Sequence, residues 1–114
     1  MKLRDIVKRV VIDTRKLTDY ALDADNPIGR HKARIFERTL GFTKSNYAGL
    51  LQQIEQHALD AEADLQRTDQ YGQHYRVDLE VIGTTGQKEI VRTGWLVAPG
   101  SDEAHLVTSY VLRK

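Results

Sequence analysis

The chain has 114 residues, 40% of them hydrophobic and 29% charged, with a net charge of +1. That size and composition suit one domain, spanning 1–114, with enough core to fold without metal or disulfide. Cysteine is absent, which excludes thiol catalysis, cysteine–zinc sites and disulfide stapling, and so small a net charge confines any nucleic-acid contact to a local basic patch. The first residues, Met1-Lys2-Leu3-Arg4-Asp5-Ile6-Val7-Lys8, carry no long apolar run and read as no signal peptide. No stretch approaches the ~20 apolar residues of a membrane span, so a cytoplasmic protein without a membrane segment is expected. There is no Gly-x-Gly-x-x-Gly, phosphate loop, serine elbow or metal-ligand spacing, and no cofactor or metal is expected.

Residues 1–25 read two ways. Ile6, Val7, Val10 and Val11 fit one face of a short helix, and Val10-Val11-Ile12 equally fits a short β segment. A polar loop, Asp23-Ala24-Asp25-Asn26-Pro27, leads into a helix expected over about 28–40. Ala33, Phe36 and Leu40 share its apolar face, with Ile28 or Ile35 beside them, Gly41 stops it, and Phe42 packs back. A second helix is expected over about 46–59, capped by Ser45, with a stripe of Tyr47, Leu50, Leu51, Ile54 and Ala58 and a solvated Gln- and Glu-rich face. The residues 28–59 thus form a helical pair.

The period then changes to two. Tyr75, Val77, Leu79 and Val81 alternate with His74, Arg76, Asp78 and Glu80, as in a half-buried strand. Gly83-Thr84-Thr85-Gly86 predicts a hairpin to a strand over about 88–97, and a last strand follows over about 105–112. Residues 63–68 read as a further strand. The expected fold is α+β, with two helices on one face of a three- to four-stranded antiparallel meander sheet over 63–112. Phe36, Leu40, Leu50, Leu51, Ile54, Val77, Leu79, Val91 and Trp95 are expected in the core.

The first helix begins with a basic cluster, Arg30-His31-Lys32-Ala33-Arg34, where backbone N–H groups are unpaired and the dipole is positive. That end can hold a phosphate: histidine gives or takes a proton near neutral pH, and lysine stabilises charge developing on phosphorus. A solvated helix face has the same appearance. Arg92 is placed to clamp a phosphate, Thr93 and Trp95 share the opposite face of their strand, and a tryptophan either stacks on a base or fills the core. Gly94, in mid-strand, marks a bulge or a close approach. Thr108 and Tyr110 share a face of the last strand, with Ser109 on the other; His57, His74 and His105 read as surface residues.

Lys16-Leu17, Tyr20-Ala21-Leu22, Pro27, Gly29, His31-Lys32-Ala33, Phe36, Leu40-Gly41-Phe42, Val91-Arg92-Thr93-Gly94-Trp95 and Leu106-x-Thr108-x-Tyr110 resemble, in order, a family of small bacterial domains of unknown function. Its members stand alone or form the tails of larger toxin-like proteins. Two helices before a four-stranded antiparallel sheet also resemble the ribonuclease toxins that include barnase, EndoU, colicin nucleases and RelE. That resemblance implies metal-independent attack of a 2′-hydroxyl on the adjacent phosphate. His31, Lys32, Arg92, Thr108 and Tyr110 would be catalytic, and Arg34, Thr93 and Trp95 would bind substrate. The pair of catalytic histidines common in that group is missing here. Two functions stay open: a ribonuclease toxin acting on RNA and held by a cognate antitoxin or immunity protein, or a non-catalytic antitoxin, immunity-like or adaptor module.

Overall fold

Helix α1 (Arg30–Leu40) buries Ala33, Phe36 and Leu40, which recur at helical spacing on one face. The computed structural model describes residues 1–112. Gly41 ends α1 in the left-handed conformation, φ 78°, and its N–H bonds back to Phe36 and Glu37. Phe42 is buried against Gly49 of helix α2 (Tyr47–His57), where an added Cβ would lie 3.0 Å from the ring. Ile35 flanks the apolar face, whereas Ile28 lies before the helix and is exposed.

The expected cap of α2 differs. Thr43, not Ser45, caps the turn that precedes it, and Asn46 bonds the Thr43 N–H and the Gly41 carbonyl. The polar face of α2 is not all solvated surface. The Gln53 amide donates to and accepts from the Ile82 backbone, each at 2.8 Å, and so docks the helix to a strand end.

The sheet corrects the expected topology. It has five strands in the order β1-β5-β4-β3-β2: β1 (Arg9–Val11), β2 (Ala63–Asp69), β3 (Gly72–Ile82), β4 (Lys88–Val97) and β5 (Glu103–Val111). Strands β2 to β5 form the antiparallel meander, while β1 pairs parallel with Glu103–His105 and makes the sheet mixed. The β reading of Val10 and Val11 therefore holds, and no helix spans residues 6–11. Three residues are too few for alternation to declare a strand, and their partner is more than ninety positions away.

The inner face of the sheet carries Tyr75, Val77, Leu79, Val81, Val91, Thr93, Trp95, Val97, Ala104, Leu106, Ser109 and Val111, all buried. Phe36, Leu40, Leu50, Ile54 and, from a six-residue π-helix at Lys16–Ala21, Leu17 and Ala21 meet them. Leu51 is only partly buried at the rim. The pairing of β4 with β5 slips between Gly94 and Trp95, with Gly94 opposite Thr108 and Trp95 opposite Leu106. Val107 is the extra residue. This bulge keeps both Leu106 and Ser109 on the buried face, with Val107 and Thr108 exposed between them. No helix among the described residues is long and apolar enough to cross a membrane.

Candidate functional site

Because β1 covers only the first three residues of β5, the rest of that edge has no strand beside it among the described residues. The π-helix and the start of α1 sit there instead and leave a cleft of about 350 Å³. Lys16, Tyr20, Asn26, Gly29 and Lys32 line it on one side, and Val107, Thr108 and Ser109 on the other.

Asn26 holds the near wall together. Its side-chain oxygen accepts from the Ile28 and Gly29 N–H groups, and its amide nitrogen donates to the Asp19 carbonyl. Gly29 is required by proximity: a Cβ there would lie 2.8 Å from the Tyr20 carbonyl oxygen, closer than side-chain carbons come to backbone. The π-helix and α1 can therefore touch backbone to backbone. On the far wall a Cβ at Gly94 would lie 2.9 Å from the Thr108 methyl. The mid-strand glycine thus marks both the bulge and the close approach expected of it.

The Lys32 ammonium lies 4.6 Å from the centre of the Tyr110 ring, a cation–π distance. Tyr110 sits opposite Arg92 in the sheet. Arg92 engages Asp78 on β3 with two parallel bonds, Nε to Oδ1 at 2.9 Å and Nη2 to Oδ2 at 3.0 Å. Asp78 holds the Arg92 guanidinium well above its ordinary pKa, and the Tyr110 hydroxyl adds to that. In turn Arg92 holds the Asp78 carboxyl below its usual range, against a smaller upward push from partial burial.

Lys32 and Thr108 thus meet in the cleft at the edge of β5, with Tyr110 against Lys32 and Arg92 beside Tyr110 on β4, both outside the cleft lining. His31 and Arg34 are exposed on α1 and lie outside the cleft lining. Thr93 and Trp95 face the other way, into the core, at 0% and 1% exposure. The Trp95 indole donates to Thr93 Oγ1 at 2.7 Å, and that hydroxyl donates to the Val77 carbonyl at 2.6 Å. This closed chain leaves the two side chains with almost no surface of their own. His57 and His105 are exposed; His74 is half-buried and bonded to Asp69 at 2.9 Å. Among the described residues no three His, Asp or Glu side chains gather as a metal site.

The sequence reading did not single out Lys16, Tyr20, Asn26 and Ser109 as site residues. Lys16 and Tyr20 stood among the motif residues of the family resemblance, but only the tertiary fold brings them opposite Thr108. Ser109 is 2% exposed, and its hydroxyl has no hydrogen-bond partner among the described residues.

A model of a domain of unknown function, DUF6883, matches residues 2–113. In structure the chain is similar to a chain of a contact-dependent growth inhibition toxin–immunity protein complex from Klebsiella pneumoniae 342. The TM-score is 0.72 at 16% identity, over 96% of this chain and 99% of that one. At that identity the likeness shows a shared fold. No curated protein shows significant similarity to the chain.

Proposed function

The chain belongs to the DUF6883 family, and we propose that it is a metal-independent ribonuclease toxin of a bacterial competition or toxin–antitoxin system. The observation that carries this reading is that Lys32 and Thr108 line the cleft while Lys32 also reaches the ring of Tyr110, which pairs with Arg92 just outside the lining. Its support is a fold shared over nearly the whole length with one chain of a toxin–immunity complex.

In this reading the 2′-oxygen bonds to phosphorus and the bond from phosphorus to the 5′-oxygen breaks. The proton lost by the 2′-hydroxyl is balanced by one gained at the 5′-oxygen. The ammonium of Lys32 offsets the charge that builds on the phosphate oxygens. The Thr108 hydroxyl orients the phosphate, and the Tyr110 phenol is the cluster's proton-passing group. Arg92, whose Nε and Nη2 are engaged with Asp78, positions Tyr110 rather than clamping the phosphate. An immunity or antitoxin protein would silence the toxin by covering the cleft.

A second reading, a non-catalytic immunity-like module, draws on the same complex, which contains both kinds of protein. The closed Arg92–Asp78 pair favours it, because it leaves the strongest anion-binding fork of the site occupied. Incubation of purified protein with total RNA and tRNA separates the two. The toxin reading predicts cleavage that Lys32→Ala abolishes while far-ultraviolet circular dichroism stays unchanged. Intact RNA over a range of pH and salt supports the binding module.

A further inference from the structure

Among the described residues eight large hydrophobic side chains are exposed, and three of them, Tyr20, Ile28 and Val107, line the cleft described above. Tyr20 is 57% exposed and Ile28 93%. Apolar surface gathered in a concave site beside cations is the usual make-up of a small-ligand pocket, and a volume near 350 Å³ falls at the small end of such pockets. The lining also has polar members: Lys32 reaches toward the edge of β5, and the buried Ser109 hydroxyl has no partner among the described residues. A buried hydroxyl without a partner is uncommon and calls for an explanation. The hydroxyl is closed from solvent, so a phosphate oxygen accepts from it when the cleft wall opens around the ligand.

We infer that the cleft is a nucleotide subsite. Lys32 and Ser109 take the phosphate, the Tyr20 ring takes the base by stacking, and the substrate is therefore an unpaired nucleotide in a single strand or loop. Ile28 and Val107 close around the base. Lys16, whose ammonium lies 5.6 Å from the centre of the Tyr20 ring, neutralises the neighbouring phosphate. A base inside a duplex is already stacked and cannot lie on Tyr20 without being flipped out. Stacking on an aromatic ring is tolerant of base identity, so the subsite selects strandedness before sequence. The inference rests on the ribonuclease reading only in taking RNA as the strand that carries the nucleotide.

The test is a titration of the full chain with a 2′-deoxy trinucleotide, which lacks the attacking hydroxyl and stays intact, followed by amide chemical shifts. The wild type is expected to shift at Tyr20, Gly29, Lys32 and Thr108. Tyr20→Ala should weaken binding about tenfold or more, and Tyr20→Phe should restore it. Ile28→Ala, at a position too exposed to disturb folding, should weaken it in the same direction. Inorganic phosphate alone should bind wild type and Tyr20→Ala equally, and Ser109→Ala more weakly. A 2′-deoxy dodecamer annealed to its complement should bind more weakly than the same dodecamer free. Equal binding by Tyr20→Ala and wild type, equal binding of duplex and single strand, or shifts away from the cleft would each overturn the inference. If the trinucleotide binds as described and ribose-containing RNA is left uncut, the subsite stands and the nuclease reading falls. If RNA is cut and the trinucleotide shifts nothing in the cleft, the subsite falls alone.

Discussion

One hydroxyl, that of Thr93, joins two strands and the only tryptophan of the chain: it accepts from Trp95 and donates to Val77 with no exposure to water. Thr93→Val keeps the shape and leaves the indole N–H and the Val77 carbonyl buried without that partner. The expected loss is about 1–3 kcal/mol for a group left unsatisfied, read by urea titration with Trp95 fluorescence; Thr93→Ser should recover most of it. An unchanged midpoint would mean that water replaces the hydroxyl. Asp78 gives a second prediction, in pH. Its pKa is lowered in the folded state, first by the bond from Arg92. The stability it adds is present above its ordinary value of 3.8 and is lost as pH falls through the lower folded value. Asp78→Asn should therefore flatten the acid limb of a pH-unfolding curve below about pH 4 and leave its neutral part parallel to wild type. A mutant curve parallel at every pH would contradict the assignment.

At the scale of elements, α1 is held by what it buries and by how closely its start can approach. Phe36 is fully buried, and Phe36→Ala should lower stability by ~3–5 kcal/mol in denaturant; a loss below about 1 kcal/mol would show that the helix face can collapse around the gap. Gly29→Ala tests the cleft wall instead. The new methyl would meet the Tyr20 carbonyl, so α1 and the π-helix must move apart. Lower stability together with altered amide shifts at Tyr20 and Asn26 is the expected result.

Elements whose signal is local were legible in the sequence. Helix α1, its Gly41 stop and the Lys88–Val97 strand follow from spacing and from one left-handed glycine. Strand β1 was not, because three residues pair only through a partner near the other end of the chain. The site was legible in part. Alternation placed Arg92 on one face of its strand and Thr93 and Trp95 on the other. The Asp78 partner of Arg92 needed the register between β3 and β4. The inward turn of Ser109 rests on a bulge that leaves no mark in composition.

For the whole molecule, the small net charge argues against binding along a nucleic-acid backbone and for one concentrated site. The cleft meets that description, with Lys16 and Lys32 on one wall and hydroxyls on the other. In the proposed ribonuclease reading, toxicity should therefore follow the cleft and not the total charge. Arg34→Ala, on the exposed side of α1 outside the lining, should leave RNA cleavage within about twofold of wild type, since a side chain that does not touch the bound substrate adds nothing to transition-state binding. The most direct measurement is tightly induced expression in a bacterium that lacks any partner gene, with growth and RNA integrity followed beside Lys32→Ala and Arg92→Ala. The account predicts growth arrest with RNA cleavage that both substitutions relieve in soluble, folded protein. Normal growth with abundant folded wild-type protein and intact RNA would contradict it.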